Sequence, residues 1–392
     1  MTLTSSVDSI METYVRWPVE FVRGSGASLF DENDKRYIDL TAGLAVANVG
    51  HAHPAVAAAV AGQASQLVHV SNLYATGPQQ RLADRLRDLS GGMRSFFCNS
   101  GAESIECALK LARRVAEPSQ PGATPRVVAA EGSFHGRTFG ALAATGQPAK
   151  RAAFEPMLPG FCHVPFGDLE ALKTVMDQDV AAVLLEPIQG EGGVVVPPSD
   201  YLAGARELCD EYSALLILDK VQTGMGRTGS WFAFEHFDVK PDVMCLAKGL
   251  AGGLPIGVCL ASPAVADAFR PGDHASTFGG GPVQCAAALA TIDVIEDENL
   301  IGCATIRGAH LRAGLEQIFG TASVRGLGLM LAAELTSNTA RSICSRALER
   351  GLLVNDVTPS TLRFTPPLVV TEAAIDEALL ILQEVVDEDQ AA

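Results

Sequence analysis

The sequence lacks the features that mark membrane, secreted or nucleic-acid-binding proteins. No apolar run is long enough to span a membrane, and the first fifteen residues carry acids without the basic and then apolar order of a signal peptide. Lysine and arginine together number 29 against 45 aspartates and glutamates, which gives a formal net charge of −16, and no basic cluster occurs. We therefore expect a cytoplasmic protein with no nucleic-acid or membrane partner.

Cysteine is present, but never in the CxxC spacing of metal and redox sites. The nine cysteines are spread along the chain, several of them inside apolar strand or helix patterns. That distribution is typical of reduced thiols in the core of an intracellular protein. With 48% hydrophobic and 19% charged residues, the 392-residue chain has the composition of a globular protein of two or three domains.

Strand-like apolar segments begin to alternate with helix-like segments of ten or more residues from about residue 77. This alternation predicts an α/β fold with a mostly parallel sheet and helices on both faces. The opening residues and those after about residue 290 predict a smaller α+β unit. We expect residues 1–58 to form the N-terminal part of a small domain, 59–290 a large domain, and 291–392 the C-terminal part of the small domain.

Two strand ends carry a carboxylate and a lysine. The apolar segment LLILD ends in Asp219 before a glycine-rich loop, and MCLAK ends in Lys248 before Gly249. Open α/β sheets bind ligands at the carboxyl ends of their strands. A pyridoxal phosphate (PLP) enzyme needs a lysine that holds the cofactor aldehyde as a Schiff base and an acid that faces the pyridine nitrogen. Each residue also has a simpler interpretation, Asp219 as a turn or cap residue and Lys248 as a solvated side chain.

Small residues at a strand-to-helix turn predict an anion site. The turn in FFCNSGAES holds Ser100, Gly101 and Ala102, where free amides and the helix dipole favour a phosphate. The alternative is that Ser100 only caps the helix. Thr277, in HASTFGGGP, offers a hydroxyl ahead of a helix that starts near Pro282, and this segment is equally interpretable as an ordinary helix entry.

An aromatic residue and two arginines supply groups for a ring and for carboxylates. In GSFHGRT, Phe134 can stack on a pyridine ring and Arg137 can bind a carboxylate through two hydrogen bonds. Arg363, in LRFTPPL, offers a second clamp. Glu191, in EPIQGEGG, is a partner for one arginine when no substrate carboxylate is bound. Two such arginines suit an enzyme that handles two dicarboxylate-like substrates in turn.

Two motifs indicate other kinds of site. GMGRTG, residues 224–229, matches the dinucleotide fingerprint and would indicate a nicotinamide-dependent dehydrogenase. However, SWFAFEHFDVKP follows it instead of a regular helix, so a pyrophosphate would meet no helix N-terminus. His51 and His53 would suit a metal, but the sequence offers no third ligand nearby, and alternate loop histidines more often make turn hydrogen bonds. We expect neither a nicotinamide nor a metal.

Taken together, these segments resemble the class III aminotransferases of fold type I, in particular the acetylornithine aminotransferase group. The resemblance runs in family order from about residue 14 to residue 385, through FFCNSGAE, FHGRT, EPIQGEGG, DKVQTGMGRTG, LAKGL with GGLPIG, HASTFGG and LRFTPPL. It implies a large PLP-binding domain with a mostly parallel sheet of the seven-stranded type and a small α+β domain built from both termini. It also implies a homodimer whose active sites are shared between subunits.

For the cofactor, pyridoxal 5′-phosphate, the resemblance implies contacts at numbered positions. Lys248 would form the Schiff base, and Asp219 would pair with the pyridine nitrogen. The other contacts would be Gln222 at the phenolic oxygen, Val221 and Phe134 on the two ring faces, and Ser100, Gly101, Ala102 and Thr277 of the partner subunit at the phosphate.

For the substrates, the resemblance implies that Arg363 clamps the α-carboxylate in both half-reactions, with Glu191 as its gate, Arg137 as the second clamp and Tyr14 as a further contact. Leu44 stands where ornithine δ-aminotransferases carry a tyrosine, which favours an acylated over a free ornithine. The implied reaction moves the ω-amino group of N-acetylornithine, or of a close acylated diamino acid, to 2-oxoglutarate, giving a semialdehyde and glutamate in arginine biosynthesis. An aminotransferase for another ω-amine (ornithine, γ-aminobutyrate or a diamine) and a weakened PLP-binding paralogue are the alternatives.

Three positions depart from the family pattern. Lys220 stands where the family has a glutamate, and Ile105 and Gly281 replace asparagines. Because side chains alternate along a strand, Lys220 should point into the layer opposite to Asp219 and Val221. A lysine there needs a carboxylate, solvent or a lowered pKa, since an unpaired buried charge costs on the order of several kcal/mol.

Overall fold

The computed structural model describes residues 9–117, 122 and 124–391 of the chain. Residues 1–8 lie outside the described residues. They include the start of the predicted small domain and of the N-terminal segment that lacks a signal-peptide pattern. The strands are β1 (Phe21–Ser25), β2 (Ser28–Asp31), β3 (Arg36–Asp39), β4 (Arg94–Cys98), β5 (Arg126–Ala130), β6 (Phe161–Val164), β7 (Val180–Leu185), β8 (Leu215–Asp219), β9 (Val243–Leu246), β10 (Gly257–Ala261), β11 (Val324–Leu327), β12 (Met330–Glu334), β13 (Leu352–Leu353), β14 (Asn355–Thr358) and β15 (Thr361–Phe364).

Thirteen α-helical segments lie within the described residues. They are α1 (Ala42–Ala45), α2 (Pro54–Ala64), α3 (Gly77–Leu89), α4 (Gly101–Val115), α5 (Phe139–Ala144), α6 (Pro148–Arg151), α7 (Leu169–Val175), α8 (Tyr201–Tyr212), α9 (Pro263–Ala266), α10 (Pro282–Asp297), α11 (Leu300–Phe319), α12 (Ala340–Glu349) and α13 (Glu372–Ala391). In this described part, no helix combines the length and the apolar character needed to cross a membrane.

Seven strands form the central sheet, in the order β4-β10-β9-β8-β7-β5-β6. β10 pairs antiparallel with β4 and β9, and every other neighbouring pair is parallel. All six residues of β7 are buried, because helices cover both faces of the sheet, and the strand therefore shows a continuous apolar run instead of alternation. The predicted α/β fold with a mostly parallel, seven-stranded sheet is confirmed.

The two faces of the sheet pack against different helices. Along β7, Ala182 and Leu184 belong to the cluster that contains the buried face of α4, and Val183 and Leu185 belong to the cluster that contains α7 and α8. Burying one such leucine stabilises the fold by about 1.5–3 kcal/mol. α4 is therefore fixed against the sheet, and its first residues are held at the edge where β4 ends.

Both ends of the chain contribute to a second region. β1, β2, β3 and β13 form one sheet, in which Leu352 and Leu353 of β13 pair in parallel with Ile38 and Asp39 of β3. β11, β12, β15 and β14 form an antiparallel sheet, and α13 packs on α11 and α12. The predicted small α+β domain built from both termini is confirmed, whereas its boundaries at residues 58 and 291 stay a prediction.

A left-handed turn leads from β3 towards the central sheet. The φ angles of Ala42, Gly43, Leu44 and Ala45 lie between 47° and 65°, so the segment α1 has the hand opposite to an ordinary helix. Non-glycine residues pay about 1–2 kcal/mol each for this conformation. The buried Asp39 holds the turn, since its Oδ1 accepts hydrogen bonds from the backbone N–H of Ala42 at 2.9 Å and of residue 41 at 2.7 Å.

Candidate active site

A cavity of about 450 Å³ opens at the carboxyl edge of the central sheet. Its walls come from the segments that follow β4, β5, β7, β8 and β9. These strands run parallel to one another, which brings their carboxyl ends to the same edge. The predicted site residues that line the cavity are Ser100, Gly101, Ala102, Phe134, Arg137, Glu191, Asp219, Val221, Gln222 and Lys248.

Asp219, the last residue of β8, is buried with both carboxylate oxygens occupied. Its Oδ2 accepts a hydrogen bond from Nδ1 of His135 at 2.8 Å, and its Oδ1 accepts one from the backbone N–H of Val221 at 3.0 Å. Because a carboxylate only accepts, the His135 proton lies on Nδ1. Nε2 of His135 is buried without a partner among the described residues. The imidazole thus fixes the orientation of Asp219, a role that the sequence analysis missed.

Glu186, which directly follows β7, adds a second buried carboxyl group. It accepts hydrogen bonds from the backbone N–H groups of Phe134 and Gly190, each at 3.1 Å. Burial raises the pKa of Glu186 to about 7, with a further contribution from Asp219 and against the opposing effect of His135. Glu186 is therefore partly protonated near neutral pH.

Lys248 follows β9 and opens a short 3-10 helix, Lys248–Ala251, with a φ of 41°. Its ammonium group donates no hydrogen bond within the described part of the chain. Burial lowers the pKa of Lys248, and Arg363 lowers it further, whereas Glu191 and Asp219 oppose the shift. An unpartnered amine with a lowered pKa is the form of lysine that attacks an aldehyde.

The start of α4 forms a cradle of small residues beside Val221. Ser100 is the N-cap, and its Oγ accepts a hydrogen bond from the backbone N–H of Glu103 at 3.2 Å. Ser100 therefore caps the helix, and its hydroxyl proton remains able to donate to an anion. A Cβ on Gly101 would lie 2.8 Å from Cγ2 of Val221, so only glycine allows the helix start and Val221 to approach this closely.

Arg363, on β15, contacts two residues that line the cavity and is only 2% exposed. Its Nη1 donates to Oε1 of Glu191 at 2.6 Å and to Oε1 of Gln222 at 3.2 Å, and its Nη2 donates to Oδ1 of Asn355 at 2.7 Å. Burial raises the pKa of Glu191, but Arg363 and Lys248 outweigh burial, and the net pKa is lowered. A carboxylate of the protein thus occupies the place on Arg363 that a substrate carboxylate would take.

Two further cations flank the ring of Phe134. Nζ of Lys150 lies 4.6 Å from the ring centroid, and Cζ of Arg137 lies 5.6 Å from it. Neither forms an ion pair with another described residue. Burial lowers the pKa of Lys150, and Arg137 lowers it further, whereas Glu191 opposes the shift. The sequence predicts Arg137 at this place, whereas Lys150 lies in a segment without a recognisable motif.

The comparisons with known proteins decide the family. The family model described as aminotransferase class-III matches residues 10–386. This chain belongs to the class III aminotransferases. It is 46% identical to an acetylornithine aminotransferase of Caldanaerobacter subterraneus over 97% of both chains, and 49% identical to one of Gloeobacter violaceus over 96% of this chain and 95% of the relative.

Solved structures agree with this family. The ornithine aminotransferase of Toxoplasma gondii superposes with a TM-score of 0.94 at 33% identity, covering 98% of this chain and 94% of the other. The N-acetylornithine aminotransferase of Stenotrophomonas maltophilia gives a TM-score of 0.83 at 38% identity, covering 95% and 96%. This aminotransferase therefore has the predicted fold type I architecture and is a PLP-dependent transaminase.

The residues of the cavity fit PLP. The cofactor needs an amine for its aldehyde, an acid for its pyridine nitrogen and a cradle for its phosphate. Lys248 is an amine without a hydrogen-bond partner among the described residues, Asp219 is held in one orientation by His135, and the glycine at 101 leaves the helix start open. All three requirements are met by side chains that line one cavity.

Three predicted residues of this aminotransferase lie away from the cavity. Thr277 lines a separate cleft of about 810 Å³, and its role in the site of the partner subunit stays a prediction. Tyr14 is 77% exposed. Leu44 lines a small pocket of about 210 Å³ beside Trp17, while Val46 from the same turn lines the cavity.

The GMGRTG segment of this aminotransferase has a structural function. Arg227 is fully buried, and it donates hydrogen bonds to Oδ1 of Asn48 at 2.6 Å and to the carbonyl oxygen of Leu329 at 3.1 Å. Only a short 3-10 helix, Ala233–Phe237, follows the segment. Arg227 therefore joins the loop after β8 to residues near both ends of the chain.

The two histidines of the loop after β3 bind different carboxylates. His51 Nε2 lies 2.7 Å from Oδ2 of Asp39, and His53 Nε2 lies 3.1 Å from Oε1 of Glu298. Across residues 9–117, 122 and 124–391, no group of three histidines, cysteines or acids is arranged to hold a metal ion.

The three departures from the family pattern have different surroundings. Lys220 points away from the cavity, as predicted, and is 1% exposed with no hydrogen-bond partner for Nζ among the described residues. Burial lowers its pKa well below the ordinary value, and Nζ lies 3.1 Å from the centroid of the Phe234 ring. Ile105 is buried in the cluster between α4 and the sheet, and Gly281 caps α10 near the Thr277 cleft.

Proposed function

We propose that this aminotransferase moves the ω-amino group of N-acetylornithine to 2-oxoglutarate, giving a semialdehyde and glutamate. The acetylornithine aminotransferases that it resembles over nearly their whole length support this substrate. The observation that carries the proposal is the contact between Glu191 and Arg363, 2.6 Å apart at the wall of the cavity. This contact lets one site bind two substrates whose reacting ends differ in charge.

The two substrates differ at the carbon that reacts. In N-acetylornithine the reacting carbon bears the ω-amine and no carboxylate, whereas in 2-oxoglutarate a carboxylate is attached directly to the reacting carbonyl. Arg363 paired with Glu191 presents no free cation to the amine donor. When Glu191 moves away, the guanidinium can bind the carboxylate of 2-oxoglutarate through two hydrogen bonds. Arg363 then binds a substrate carboxylate only in the half-reaction of 2-oxoglutarate. This role is narrower than the expected binding of the α-carboxylate in both half-reactions.

The far end of each substrate also carries a carboxylate. Arg137 and Lys150 flank Phe134 without an anionic partner among the described residues, so they offer positive charge to that group. Distal carboxylates of both substrates can use the same cations, because each substrate presents its reacting end towards Lys248. This arrangement suits two substrates that share the cavity in turn.

Bound PLP supplies an electron sink for the pair of electrons left when a proton leaves the reacting carbon. Asp219 would hold the protonated pyridine nitrogen, since His135 fixes the orientation of its carboxylate. Nζ of Lys248 would be the base that takes this proton from the reacting carbon and the acid that later gives it up. Gln222 and Val221 line the cavity beside it and limit the movement of the ring.

We also propose a homodimer in which Thr277 contributes to the site of the partner. The cleft that contains Thr277 adjoins large apolar side chains that a single chain leaves exposed, among them Leu73 (86% exposed), Tyr74 (70%) and Phe278 (64%). Exposed apolar residues of this size mark protein interfaces. Light scattering should give twice the chain mass, and Thr277→Ala should weaken PLP binding without changing that mass.

A single-turnover scan tests the substrate. The PLP-loaded protein is mixed with N-acetylornithine, ornithine, succinylornithine, γ-aminobutyrate or putrescine, and loss of the Schiff-base absorbance of the cofactor is followed. We expect the fastest loss with N-acetylornithine. Another fastest donor would replace the proposed substrate, and no loss with any donor would indicate a PLP-binding paralogue. Lys248→Ala is the control that should bind PLP without turnover.

A further inference from the structure

The loop that carries Glu191 is closed on itself. The backbone groups of Gln189 and Val195 exchange two hydrogen bonds, each of 3.0 Å, so residues 190–194 form a tight loop above the cavity. Gly193 has a φ of 107°, and the buried Val194 has a φ of 55°, a conformation that costs a branched residue free energy. A loop in this shape is held by contacts from outside it.

Arg325, on β11 of the small domain, makes such a contact. Its Nε donates to the carbonyl oxygen of Gly193 at 2.8 Å, and its Nη2 donates to Oε2 of Glu334 at 2.9 Å. A Cβ at position 193 would lie 3.1 Å from Nη2 of Arg325. The absence of a side chain there lets the guanidinium reach the backbone of the loop.

Glu334, the second partner of Arg325, also contacts the strand that carries Arg363. Glu334 accepts hydrogen bonds from the hydroxyls of Ser360 at 2.6 Å and Thr361 at 2.8 Å. Thr361 lies two residues before Arg363 on β15, and residues two apart in a strand point to the same face. The contacts therefore close into a ring that runs from Arg325 through the loop to Glu191, across to Arg363, and back through Thr361 and Glu334.

We propose that Arg325 is a positioning residue that holds Glu191 on Arg363 and so sets how readily the site changes between its two substrates. The inference rests on the proposed function, because the pairing matters only if Arg363 is masked for the amine donor and exposed for 2-oxoglutarate. Arg325 touches neither substrate. It acts by lowering the freedom of the loop, which reduces the entropy that Glu191 loses when it pairs with Arg363.

Replacing Arg325 by methionine removes both donors and keeps an unbranched side chain. Glu191 then leaves Arg363 more often, so 2-oxoglutarate meets a free guanidinium, and the amine donor meets a cation that draws its α-carboxylate to the reacting end. We expect kcat/KM for N-acetylornithine divided by kcat/KM for 2-oxoglutarate to fall about three- to thirtyfold. We also expect glutarate, which carries two carboxylates and cannot react, to bind more tightly.

Arg312→Met is the matched control. The Arg312 side chain is 32% exposed, as is that of Arg325, and its guanidinium binds the carbonyl oxygens of residues 324 and 326 on either side of Arg325. It makes no contact with the loop that the structure describes. A general loosening of β11 would change the ratio in both variants, whereas the proposed role predicts a change in Arg325→Met alone.

A double-mutant cycle with Glu191→Ala gives the strictest test. Once Glu191 is absent, Arg325→Met should leave the ratio unchanged, whereas independent structural damage would add its effect in both backgrounds. Arg325→Lys should restore part of the ratio, because an ammonium can keep one of the two contacts. If Arg325→Met does not fold, Glu334→Gln, which weakens the hold on Arg325, should shift the ratio in the same direction.

Calorimetric binding of glutarate to the PLP-loaded protein separates this inference from the proposed function. If the wild type does not use N-acetylornithine, the proposed substrate is wrong, and the ratio is measured with the ω-amine that it does use. Tighter glutarate binding in Arg325→Met and not in Arg312→Met supports the positioning role whichever donor is used. Equal glutarate affinity in wild type, Arg325→Met and Glu334→Gln would overturn it.

Discussion

Lys220→Met should stabilise this protein, most strongly at the lower end of the neutral range. The lysine is buried beneath the aromatic ring of Phe234, and its Nζ has no hydrogen-bond partner among the described residues. Burial keeps its pKa well below the ordinary value, with Glu235 opposing the shift. Methionine is also unbranched and apolar, and its sulfur makes favourable contacts with aromatic rings.

The magnitude follows from the unsatisfied amine. Leaving a buried neutral polar group without a partner costs about 1–3 kcal/mol. Lys220→Met should raise the free energy of unfolding at pH 7 by at least that amount, because the folded lysine also gives up a proton that the unfolded chain keeps. Unfolding entropy is about 2.1 cal/mol/K per residue, which for a chain of this length makes 1 kcal/mol worth roughly 1 °C in Tm. Equilibrium unfolding in urea, with PLP in equal excess throughout, is therefore the more sensitive assay.

The stability gained by Lys220→Met should decrease as pH rises, and this direction distinguishes the explanation. Between the lowered pKa of folded Lys220 and its ordinary value near 10.5, the unfolded chain binds one more proton than the folded chain. Wild-type stability therefore rises with pH in that window, by at most about 1.4 kcal/mol per pH unit, and the advantage of methionine shrinks as pH rises towards 10.5. Lys240→Met, at an exposed lysine, is the control and should change stability by less than about 0.5 kcal/mol at either pH. A Lys220→Met protein that is less stable than wild type, or whose advantage is the same at pH 7 and pH 9.5, would refute the reasoning.

Three further predictions concern the cavity. Gly101→Ala should raise the Kd for PLP at least about tenfold, because its Cβ would press on Val221, whereas Gly62→Ala, where a Cβ meets open space, should leave that Kd unchanged in the same titration. Glu186→Gln should gain unfolding free energy relative to wild type as pH rises from 4.5 to 7, since the raised pKa of Glu186 near 7 makes its ionisation costly in the fold; a pH-independent difference between the two melting curves would contradict this. Lys150→Met should raise KM for 2-oxoglutarate about threefold or more with little change in kcat, and an unchanged KM would show that Lys150 does not read the distal carboxylate.

The sequence predicted those parts of the site that depend on strand ends and alternation. Asp219 and Lys248 were found because each ends an apolar segment, and the parallel sheet brings both ends to one edge. The direction of Lys220 followed from alternation along β8. Glu186 carries the same signal, since it follows β7 directly, as Asp219 ends β8.

Other contacts could not be predicted because they join distant segments through side-chain geometry. His135 lies within a segment singled out for its neighbours, yet nothing local indicates that its Nδ1 would meet Asp219, 84 residues further along. Lys150 and Arg325 lie in segments without a recognisable motif. Arg325 reaches Gly193 across 132 residues, and that contact depends on how β11 packs beside the loop. Such pairings arise from tertiary packing and leave no periodic signal.

The charges of the cavity explain why one of its cations is paired with a carboxylate and the others are not. The chain as a whole carries a net charge of −16, yet the site collects four cations, Lys248, Arg363, Arg137 and Lys150. In the described part of the chain, only Arg363 among these four has a carboxylate partner, Glu191. Unpaired cations bind anionic ligands without first giving up a partner, which suits groups that every substrate must meet.

Arg363 differs because only one of the two proposed substrates has a carboxylate at its reacting end. When the other substrate is bound, a protein carboxylate has to neutralise the charge of Arg363. If Glu191 bound Arg363 too strongly, 2-oxoglutarate would bind less readily. If it bound too weakly, the amine donor would bind with its carboxylate at the reacting end. The hydrogen bond from Arg325 to the loop of residues 190–194 can therefore adjust the relative rates of the two half-reactions. It does so without altering any group that touches a substrate.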